Sequence, residues 1–470
     1  MIHRHLLVGA LALSGVVTTG FSADYLIHSW KKIQLSDKFW GEGANFADFN
    51  KDGHMDIVSG PYWYEGPDFQ KRHEYYPATH TSRIKQADGT EKEIEGFKGA
   101  LSRENEYSDN FFAFTYDFNR DGWPDILIYG FPGKEATWFE NPGRLGIGGN
   151  MPWKKHVVFD VVDNESPTWM DLTGDGKPEI ICNSGGYFGY VTPDWSDTTK
   201  PWTFHKISPR IQVQNGMDNT KSPPEPKMVD LFQRFTHGLG VGDVNGDGRL
   251  DIMEARGWWE QPKSLAGDPE WKFHKVAFAP AGGSSHMFAY DVNGDGRNDV
   301  ITCLAAHGYG LAWYEQLAEK DESGGPKFKE HVFMNKEPNE NKYGINFSQL
   351  HAIDLVDMDG DGLKDIVTGK RFWAHGPTGD AEPNAPAVLY WFKLVRGADK
   401  SVDFVPYQID NNSGVGTQVV TGFVGNKKYP DVVVGNKMGT FVHLHTAKKV
   451  SKAEWEAAQP KPYEAKQATK

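Results

Sequence analysis

Six short acidic segments have residue types and a spacing that suit the binding of a metal ion. Each approximates the pattern D-x-[DN]-x-D-G-x-x-[DE], beginning at Asp48, Asp117, Asp171, Asp243, Asp291 and Asp357. Ca²⁺ takes about six to eight oxygen ligands in flexible geometry, so carboxylates and amides at alternate positions of a tight loop suit it. We number these segments loops one to six and predict that they bind Ca²⁺.

The predicted ligands occupy the first, third, fifth and ninth positions of each loop. They are Asp48, Asn50, Asp52 and Asp56; Asp117, Asn119, Asp121 and Asp125; Asp171, Asp175 and Glu179; Asp243, Asn245, Asp247 and Asp251; Asp291, Asn293, Asp295 and Asp299; and Asp357, Asp359, Asp361 and Asp365. Loop three matches least well, because Thr173 stands at its third position. The alternative is that these segments are acidic hairpin turns that hold no ion.

Three histidines stand at nearly the same distance ahead of successive loops. His237 and His351 precede loops four and six by six residues, and His286 precedes loop five by five. Glu165 holds the same position ahead of loop three. Imidazole can ligate a transition metal such as Zn²⁺ or transfer a proton. If the repeats surround one axis, these side chains meet at one mouth, opposite the acidic loops. The alternative is that each histidine only binds water and backbone there.

Further charged and aromatic side chains follow the second strand-like segment of several repeats, on the side where the histidines are expected. Eliminating water or an alcohol from a sugar needs a base, a cation that stabilises the enolate and an acid for the leaving group. The candidates are His237, His286 or His351 as the base; Arg256, Lys370, Arg371 or a metal ion as the cation; and Tyr309 or Glu165 as the acid. Two insertions, 77–109 and 207–235, should cover the same mouth.

The segments around the loops predict β-strands. Each loop lies between two strand-like runs, followed by an aromatic third run such as Trp258-Trp259-Glu260 and a fourth with a W-x-x-H or F-x-x-H pattern. Four strands for each unit are typical of a β-propeller blade. A degenerate seventh copy, 417–445, supplies three strands, and residues 25–30 match the missing fourth. The sequence therefore predicts an all-β, seven-bladed β-propeller whose N-terminal strand closes blade seven.

These motifs resemble the VCBS/FG-GAP repeat family, which includes the integrin α-subunit propeller and many secreted bacterial proteins. The resemblance covers residues 25–445 and implies calcium loops and propeller closure, but no activity. The predicted mouth also resembles the propeller of aldos-2-ulose dehydratases, which eliminate water from keto-sugars.

The ends of the chain and its charge limit the cellular setting. Residues 1–23 have a basic start, a short apolar run and small residues, which predicts a signal peptide and a secreted or periplasmic protein. We expect the propeller to span 24–447 and a polar tail to span 448–470, with no membrane span. The net charge of −13 disfavours a nucleic-acid partner. Cys182 and Cys303 occupy core positions and are predicted not to form a disulfide.

Two functional hypotheses follow, and the sequence does not fix the oligomeric state. The first is a calcium-binding propeller that acts on a carbohydrate as a lyase or dehydratase. The second is a non-catalytic propeller that binds a glycan or a protein. A binding module has no need of three clustered histidines, so the sequence favours an enzyme.

Overall fold

The computed structural model describes residues 25–79, 81–86, 88–95, 107–146, 151–218, 220–425 and 428–464. The predicted signal peptide, 1–23, lies outside the described residues. The described chain forms two compact units. The larger consists of Ser29–Thr446 with the described part of Pro460–Lys470, and the smaller contains Ala447–Gln459 and the described part of Met1–His28.

The smaller unit holds the short helix α1 (Lys452–Ala458). The hydroxyl of Ser451 accepts a hydrogen bond from the Glu454 backbone, and Glu454 bonds back to Ser451, which forms a capping box at the helix start. The ring of Tyr25 packs 5.6 Å from that of Trp455. No helix of the described residues is long and apolar enough to cross a membrane.

Strands dominate the larger unit. The first part of the chain contains β1 (Leu26–Ser36), β2 (Asn45–Ala47), β3 (Asp56–Ser59), β4 (Tyr62–Tyr64), β5 (Arg72–Glu74), β6 (Thr81–Lys85), β7 (Glu91–Glu95), β8 (Phe112–Tyr116), β9 (Asp125–Tyr129), β10 (Lys134–Glu140), β11 (Lys154–Met170), β12 (Glu179–Ser184), β13 (Tyr187–Thr192) and β14 (Thr203–Lys206).

The remainder contains β15 (Gln212–Asp218), β16 (Glu225–Asp230), β17 (Leu239–Gly242), β18 (Asp251–Glu254), β19 (Gly257–Glu260), β20 (Lys272–Lys275), β21 (His286–Tyr290), β22 (Asp299–Cys303), β23 (Leu311–Lys320), β24 (Pro326–Met334), β25 (Ile353–Val356), β26 (Asp365–Gly369), β27 (Leu389–Arg396), β28 (Val402–Asp410), β29 (Val419–Gly422), β30 (Asp431–Asn436) and β31 (Gly439–Lys449). Two 3₁₀ turns span Gly143–Leu145 and Pro338–Glu340.

Consecutive strands pair as antiparallel meanders. β2–β5 and β25–β28 each form a four-stranded sheet. The long β11 pairs with β10 at its start and with β12 at its end, which joins β8–β10 and β12–β14 into one sheet. A short parallel contact of β17 with β21 joins β17–β20 to β21–β24. The pairs β6–β7 and β15–β16 are separate hairpins within the two predicted insertions.

The N-terminal strand completes the last sheet, whose strand order is β1-β31-β30-β29. The ring of Trp30 on β1 stacks 4.0 Å from that of His445 on β31, and Lys32 pairs with Asp410 of β28 at 2.9 Å. The predictions of an all-β propeller fold and of a last sheet completed by the N-terminal strand are confirmed. The number of blades stays a prediction. Cys182 and Cys303 are buried and free, as predicted.

A buried carboxylate at the ninth loop position holds the first two strands and the third strand together in most of the repeats. In loop four, Asp251 accepts hydrogen bonds from the backbone of Val244 within the loop and of Gln261 after β19, each at 2.9 Å. Asp56, Asp125, Asp299 and Asp365 make the corresponding pair of bonds. We call this arrangement the carboxylate clamp.

The third repeat keeps one side of the clamp, and the degenerate seventh copy keeps both. Glu179 of loop three accepts from the backbone of Leu172 at 2.9 Å. In the degenerate copy, Asp431 accepts from the backbone of Val424, Gly425 and His445, although the other ligand positions are lost. The clamp therefore persists where the predicted calcium ligands do not.

A second repeated contact fastens the outer strand. His73, His156, His274 and His331 each stack on a tryptophan of the third strand, with ring centroids 4.1 to 4.3 Å apart. The Nε2 atom of each ring lies 2.7 or 2.8 Å from a glutamate of that strand: Glu65, Glu140, Glu260 or Glu315. These histidines therefore have a structural role.

The clamp leads to a stability prediction. Asp251→Ala should lower the free energy of unfolding by about 2 to 4 kcal/mol, because two buried backbone N–H groups lose their acceptor. Urea unfolding in calcium-free buffer measures this loss. Asp247→Ala removes an exposed carboxylate from the same loop and should lower that free energy by less than about 1 kcal/mol. Equal losses in the two variants would show that Asp251 has no clamping role.

Candidate functional site

Glu165 and His237 lie side by side because the backbone pairs the segments that carry them. The N–H of Asn164 donates to the carbonyl of Arg234, and the N–H of Glu165 donates to that of Thr236, each at 2.9 Å. Gly238 follows His237 with φ +91°, and a side chain there would be strained and crowd Ser284. As a result, Oε2 of Glu165 lies 3.4 Å from Nε2 of His237.

Backbone hydrogen bonds of Gln349 position the other residues of the site. Its carbonyl accepts the N–H groups of His351 and Arg371, at 3.0 and 2.9 Å, and its own N–H donates to the carbonyl of Gly308. The backbone of Gln349 has φ +62°, a conformation that side-chain-bearing residues rarely adopt. Since Gly308 follows His307, this one residue positions His307, His351 and Arg371.

The side chain of Gln349 extends the same network. Its Nε2 donates to the carbonyl of Ala381, and its Oε1 accepts from the backbone of Ala374. These bonds fix the segments that carry His375 and Asp380, whose Nδ1 and Oδ1 atoms lie 2.9 Å apart. Gln349 is fully buried, so it acts on the site only through these neighbours.

The four side chains Glu165, His237, His307 and His351 form one cluster, which we call the histidine cluster. One ligating atom from each lies within 4.8 Å of those of the others. Nε2 of His351 is 3.1 Å from Nδ1 of His307, and the rings of His237 and His351 are 5.5 Å apart. The structure thus brings together three residues of the predicted set, Glu165, His237 and His351, and adds His307.

A buried ion pair borders the cluster. Arg371 and Glu42 are 2% and 1% exposed, and Arg371 Nη2 lies 2.9 Å from Glu42 Oε2. Nη1 of Arg371 also lies 3.9 Å from Glu165 and 3.4 Å from Nδ1 of His351. Burial opposes the charge of Arg371, but the two glutamates outweigh it and raise the pKa of the guanidinium. Arg371 is therefore a fixed positive charge beside three polar groups.

The protonation of the cluster follows from its contacts. Nδ1 of His237 lies 3.0 Å from the carbonyl of Phe235, which only accepts, so the neutral ring carries its proton there and a lone pair at Nε2. That Nε2 makes no hydrogen bond to the described residues. Burial acts to raise the pKa of Glu165, but contacts with His237 and the charge of Arg371 lower it. Two acceptors then face each other, so a proton or a cation taken up between them would be stabilised by both groups.

The other imidazoles are uncharged or paired. Burial, aided by the charge of Arg371, holds the pKa of His351 well below its usual value. Burial likewise lowers the pKa of His307, against the effect of Asp380. Burial acts to raise the pKa of Asp380, but its hydrogen bonds to His307 and His375 outweigh that effect and hold it well below the ordinary range. Asp380 therefore orients both rings as a carboxylate.

The cluster opens into a cavity of about 290 Å³. Its lining combines Glu165, His237, His307, Arg371 and His375 with Tyr107, Phe111, Phe131 and Phe235. Tyr107 belongs to the insertion 77–109 and Phe235 to the insertion 207–235, so both reach the cavity. His237 and Asp243 flank opposite ends of β17, which places the cavity and loop four at opposite ends of one strand.

The remaining candidates lie outside the lining of this cavity. His286 packs with its ring 6.2 Å from that of Phe112, and Arg256 pairs with Glu254 at 3.0 Å. Lys370 is buried and donates to the Ser348 hydroxyl at 2.8 Å. Burial lowers the pKa of Lys370 to about 8, and it raises that of Tyr309 to about 12. The structure therefore does not bring these four candidates into the histidine cluster.

Sequence reasoning did not select Tyr107, Asp380 or Gln349 for the site. Tyr107 lies in an insertion without a repeat position, and Asp380 belongs to a loop after the second strand of its repeat. Burial raises the pKa of Tyr107 to about 12, so its phenol keeps its proton. The one available signal for Tyr107 was its place in an insertion that was predicted to cover the mouth.

The acidic loops present an oxygen-rich surface that suits Ca²⁺. In loop one, Asp48 caps the backbone N–H groups of Asp52 and Gly53, and the other loops repeat this turn. Burial raises the pKa of the ninth-position carboxylates Asp56, Asp251 and Asp299 to about 7, and the neighbouring aspartates add to this shift. A bound cation would relieve that accumulation of negative charge, so the donor set fits calcium.

Loop six departs from this arrangement. Its carboxylates Asp357, Asp359 and Asp361 lie close together, but the ammonium of Lys393 contacts Asp359 and lies 2.9 Å from Asp361. In loops four and five, Arg249 and Arg297 each contact one carboxylate, Asp247 and Asp295. Loop six therefore fits an additional divalent cation less well than the other loops do.

The histidine cluster itself has a donor set that suits a transition metal. Three imidazoles and one carboxylate are common ligands of Zn²⁺ and related ions. The backbone carbonyl of Phe235 accepts the Nδ1 proton of His237 and so leaves the lone pair on Nε2, which faces Glu165. Metal-bound imidazoles usually have such a partner at the ring nitrogen that does not bind the metal. The residues thus fit such an ion.

The comparisons with known proteins agree with the repeat. A model of the FG-GAP-like repeat matches residues 117–182. No curated protein matches the chain by sequence.

Among solved structures, a lectin from Agrocybe aegerita that recognises non-reducing terminal N-acetylglucosamine is similar at 15% identity and a TM-score of 0.41, over 88% of this chain and 86% of that one. The exotype rhamnogalacturonan lyase YesX is similar at 10% identity and a TM-score of 0.36, over 89% of this chain and 72% of that one. The V. cholerae biofilm matrix protein Bap1 is similar at 11% identity and a TM-score of 0.25, over 87% of this chain and 77% of that one.

The environment of His286 predicts a pH effect on stability. Burial lowers its pKa to about 4 in the folded protein, against an ordinary value of about 6.5 in the unfolded chain. As the pH falls from about 6.5 to 4, the unfolded chain takes up a proton that the folded protein refuses, so stability is lost. His286→Asn should make the fall of the melting temperature over this range shallower. The exposed His54→Asn should leave it unchanged, and identical slopes in wild type and His286→Asn would contradict the prediction.

Proposed function

We propose that the protein is a secreted, calcium-binding β-propeller that acts on a carbohydrate as a lyase or dehydratase at the histidine cluster. The observation that carries this proposal is the convergence of an unbonded imidazole nitrogen, a buried guanidinium and a protonated phenol in one cavity lined by aromatic rings. Aromatic faces suit the C–H surfaces of sugars, and the charged groups suit hydroxyls or a carboxylate.

The reaction is an elimination. Nε2 of His237 takes the proton from the sugar carbon next to a carbonyl or carboxylate. The C–H electron pair forms the new double bond through an enolate, whose negative oxygen is stabilised by Arg371. The C–O bond at the adjacent carbon breaks, and the departing oxygen receives the proton of the Tyr107 hydroxyl.

Neighbouring side chains set the positions or charges of the groups that take part in the reaction. Glu165 is a carboxylate in this arrangement, so in place of the acid we assign it the role of stabilising the imidazolium that His237 becomes once it has taken the proton. Glu42 holds Arg371 in position, and Asp380 orients His307 and His375. A transition metal held by Glu165, His237, His307 and His351 would supply electrophilic character when bound, and because it would occupy the Nε2 lone pair of His237, the proton abstraction described above belongs to the metal-free site.

A second candidate is a non-catalytic propeller that binds a glycan or a protein. The aromatic lining of the cavity and its charged border suit a bound sugar equally well. The two candidates differ in whether His237 is needed for turnover or only for contact.

Turnover tests the catalytic proposal. Polyuronates and keto-sugars are incubated with the protein, and the ultraviolet absorbance of the new conjugated double bond is followed. His237→Gln should lower the rate by about 100-fold or more, since a general base typically contributes that much. His54→Gln, far from the cavity in an acidic loop, should keep the wild-type rate. If wild type forms no product but binds a glycan in calorimetry, the non-catalytic candidate is the better one.

Chelation tests the calcium proposal. A ligand that binds only the folded chain adds about 2.7 kcal/mol for each site at a hundredfold excess over its dissociation constant. EGTA should therefore lower the melting temperature clearly, and added Ca²⁺ should restore it where Mg²⁺ at the same concentration does not. An unchanged melt, together with no calcium in elemental analysis, would refute calcium binding by the loops.

A further inference from the structure

Loop six has one carboxylate more than its counterparts. Its third position holds Asp359, whereas loops one, two, four and five have asparagine there: Asn50, Asn119, Asn245 and Asn293. The side-chain amide of each asparagine lies 3.1 to 3.4 Å from the fifth-position carboxylate of its own loop and donates to it. The side chain of Asp359 has no N–H group to donate to the fifth-position carboxylate. Loop six must therefore obtain that hydrogen bond, and a counter-charge for Asp359, from another residue.

Lys393 supplies both. Its ammonium contacts Oδ2 of Asp359 and lies 2.9 Å from Oδ2 of Asp361, so it joins the third and fifth positions as the asparagine amide does in the other loops. The other oxygen of Asp359, Oδ1, is buried and accepts no hydrogen bond from the described residues. Lys393 is therefore the principal counter-charge of Asp359.

The position of Lys393 in its repeat is equally exceptional. It directly precedes Leu394, whose N–H donates to the clamp carboxylate Asp365. The residues that precede the corresponding donors in four other repeats are glutamates: Glu65, Glu140, Glu260 and Glu315. Those glutamates pair with outer-strand histidines, while this repeat has Tyr407 stacked on Trp391 instead. Within this one repeat, a positive Lys393 replaces the glutamate of the other repeats, and a negative Asp359 replaces the neutral asparagine of the other loops.

We propose that the ammonium of Lys393 is the permanent cation of loop six and that this loop binds no Ca²⁺. The inference rests on the proposal that the other loops bind calcium. A Ca²⁺ ion held by Asp359 and Asp361 would occupy the same place as the ammonium, and two cations there repel each other. Displacing Lys393 would leave its charge unpaired in a largely buried setting, which is strongly unfavourable.

The arginines near loops four and five do not play this part. Nε of Arg249 donates to the backbone carbonyl of Gln261, and Arg297 does the same to Gln316. Of the described carboxylates, each guanidinium pairs with the one at the fifth loop position, and the asparagine at the third position keeps its own amide contact. Their loops therefore retain third-position oxygens for a metal ion.

The number of bound calcium ions tests the inference. Calcium-saturated full-length protein, freed of excess ion by gel filtration, is analysed by native mass spectrometry and elemental analysis. Lys393→Gln should bind one more Ca²⁺ ion than wild type. Lys393→Met serves as a second variant should the first fail to fold, and far-UV circular dichroism verifies folding. Arg297→Gln, which removes a cation that contacts a single carboxylate of loop five, should keep the wild-type number.

The outcomes separate this inference from the calcium proposal. A wild-type count of one ion for each of the six loops, or an unchanged count in both folded Lys393 variants, would overturn the inference alone. A count of zero in every protein would overturn calcium binding itself and the inference with it. A gain of one ion in the Lys393 variants, abolished again by adding Asp359→Ala, would support it.

Discussion

The fold depends on a buried carboxylate that accepts backbone N–H groups from two places in most of the repeats. In loop four, Asp251 joins the turn at Val244 to the end of β19 at Gln261, and so fixes three strands with one side chain. An unpaired backbone N–H in such a place is costly, so the acidic residue cannot be exchanged for an apolar one. The acidic loop is thus first a structural joint, and the clamp does not use the outer carboxylates, which we propose as cation ligands.

At the opposite end of the inner strands, buried polar groups are held by backbone geometry. Gln349, with its left-handed backbone, sets the places of His307, His351 and Arg371, while hydrogen bonds between two neighbouring segments set those of Glu165 and His237. Arg371 is neutralised by Glu42 and still faces Glu165 and His351. Charges fixed in this way need little reorganisation when charge develops on a bound molecule.

The sequence predicts what repeats. Loop spacing, the strands on either side and the missing outer strand of the last unit all follow from comparing copies within one chain. It also predicts that His237, His351 and Glu165 share a position. His286 stands one residue closer to its loop, where β21 begins, and for this reason it packs near Phe112. Tyr107 comes from an insertion without a counterpart in other repeats, and the parts of Asp380 and Gln349 depend on hydrogen bonds and backbone conformation, so no internal comparison of residue types could select them.

The persistence of Asp431 bears on how such a chain changes over generations. In the degenerate copy the residues that could face an ion are gone, but Asp431 still accepts from Val424, Gly425 and His445. The joint and the proposed ion site are therefore separable, and a copy can lose the recognisable motif while it remains part of the sheet. Searches that look for complete acidic motifs will count candidate ion sites, whereas a search for the single buried acid ahead of a β-branched run will count structural units.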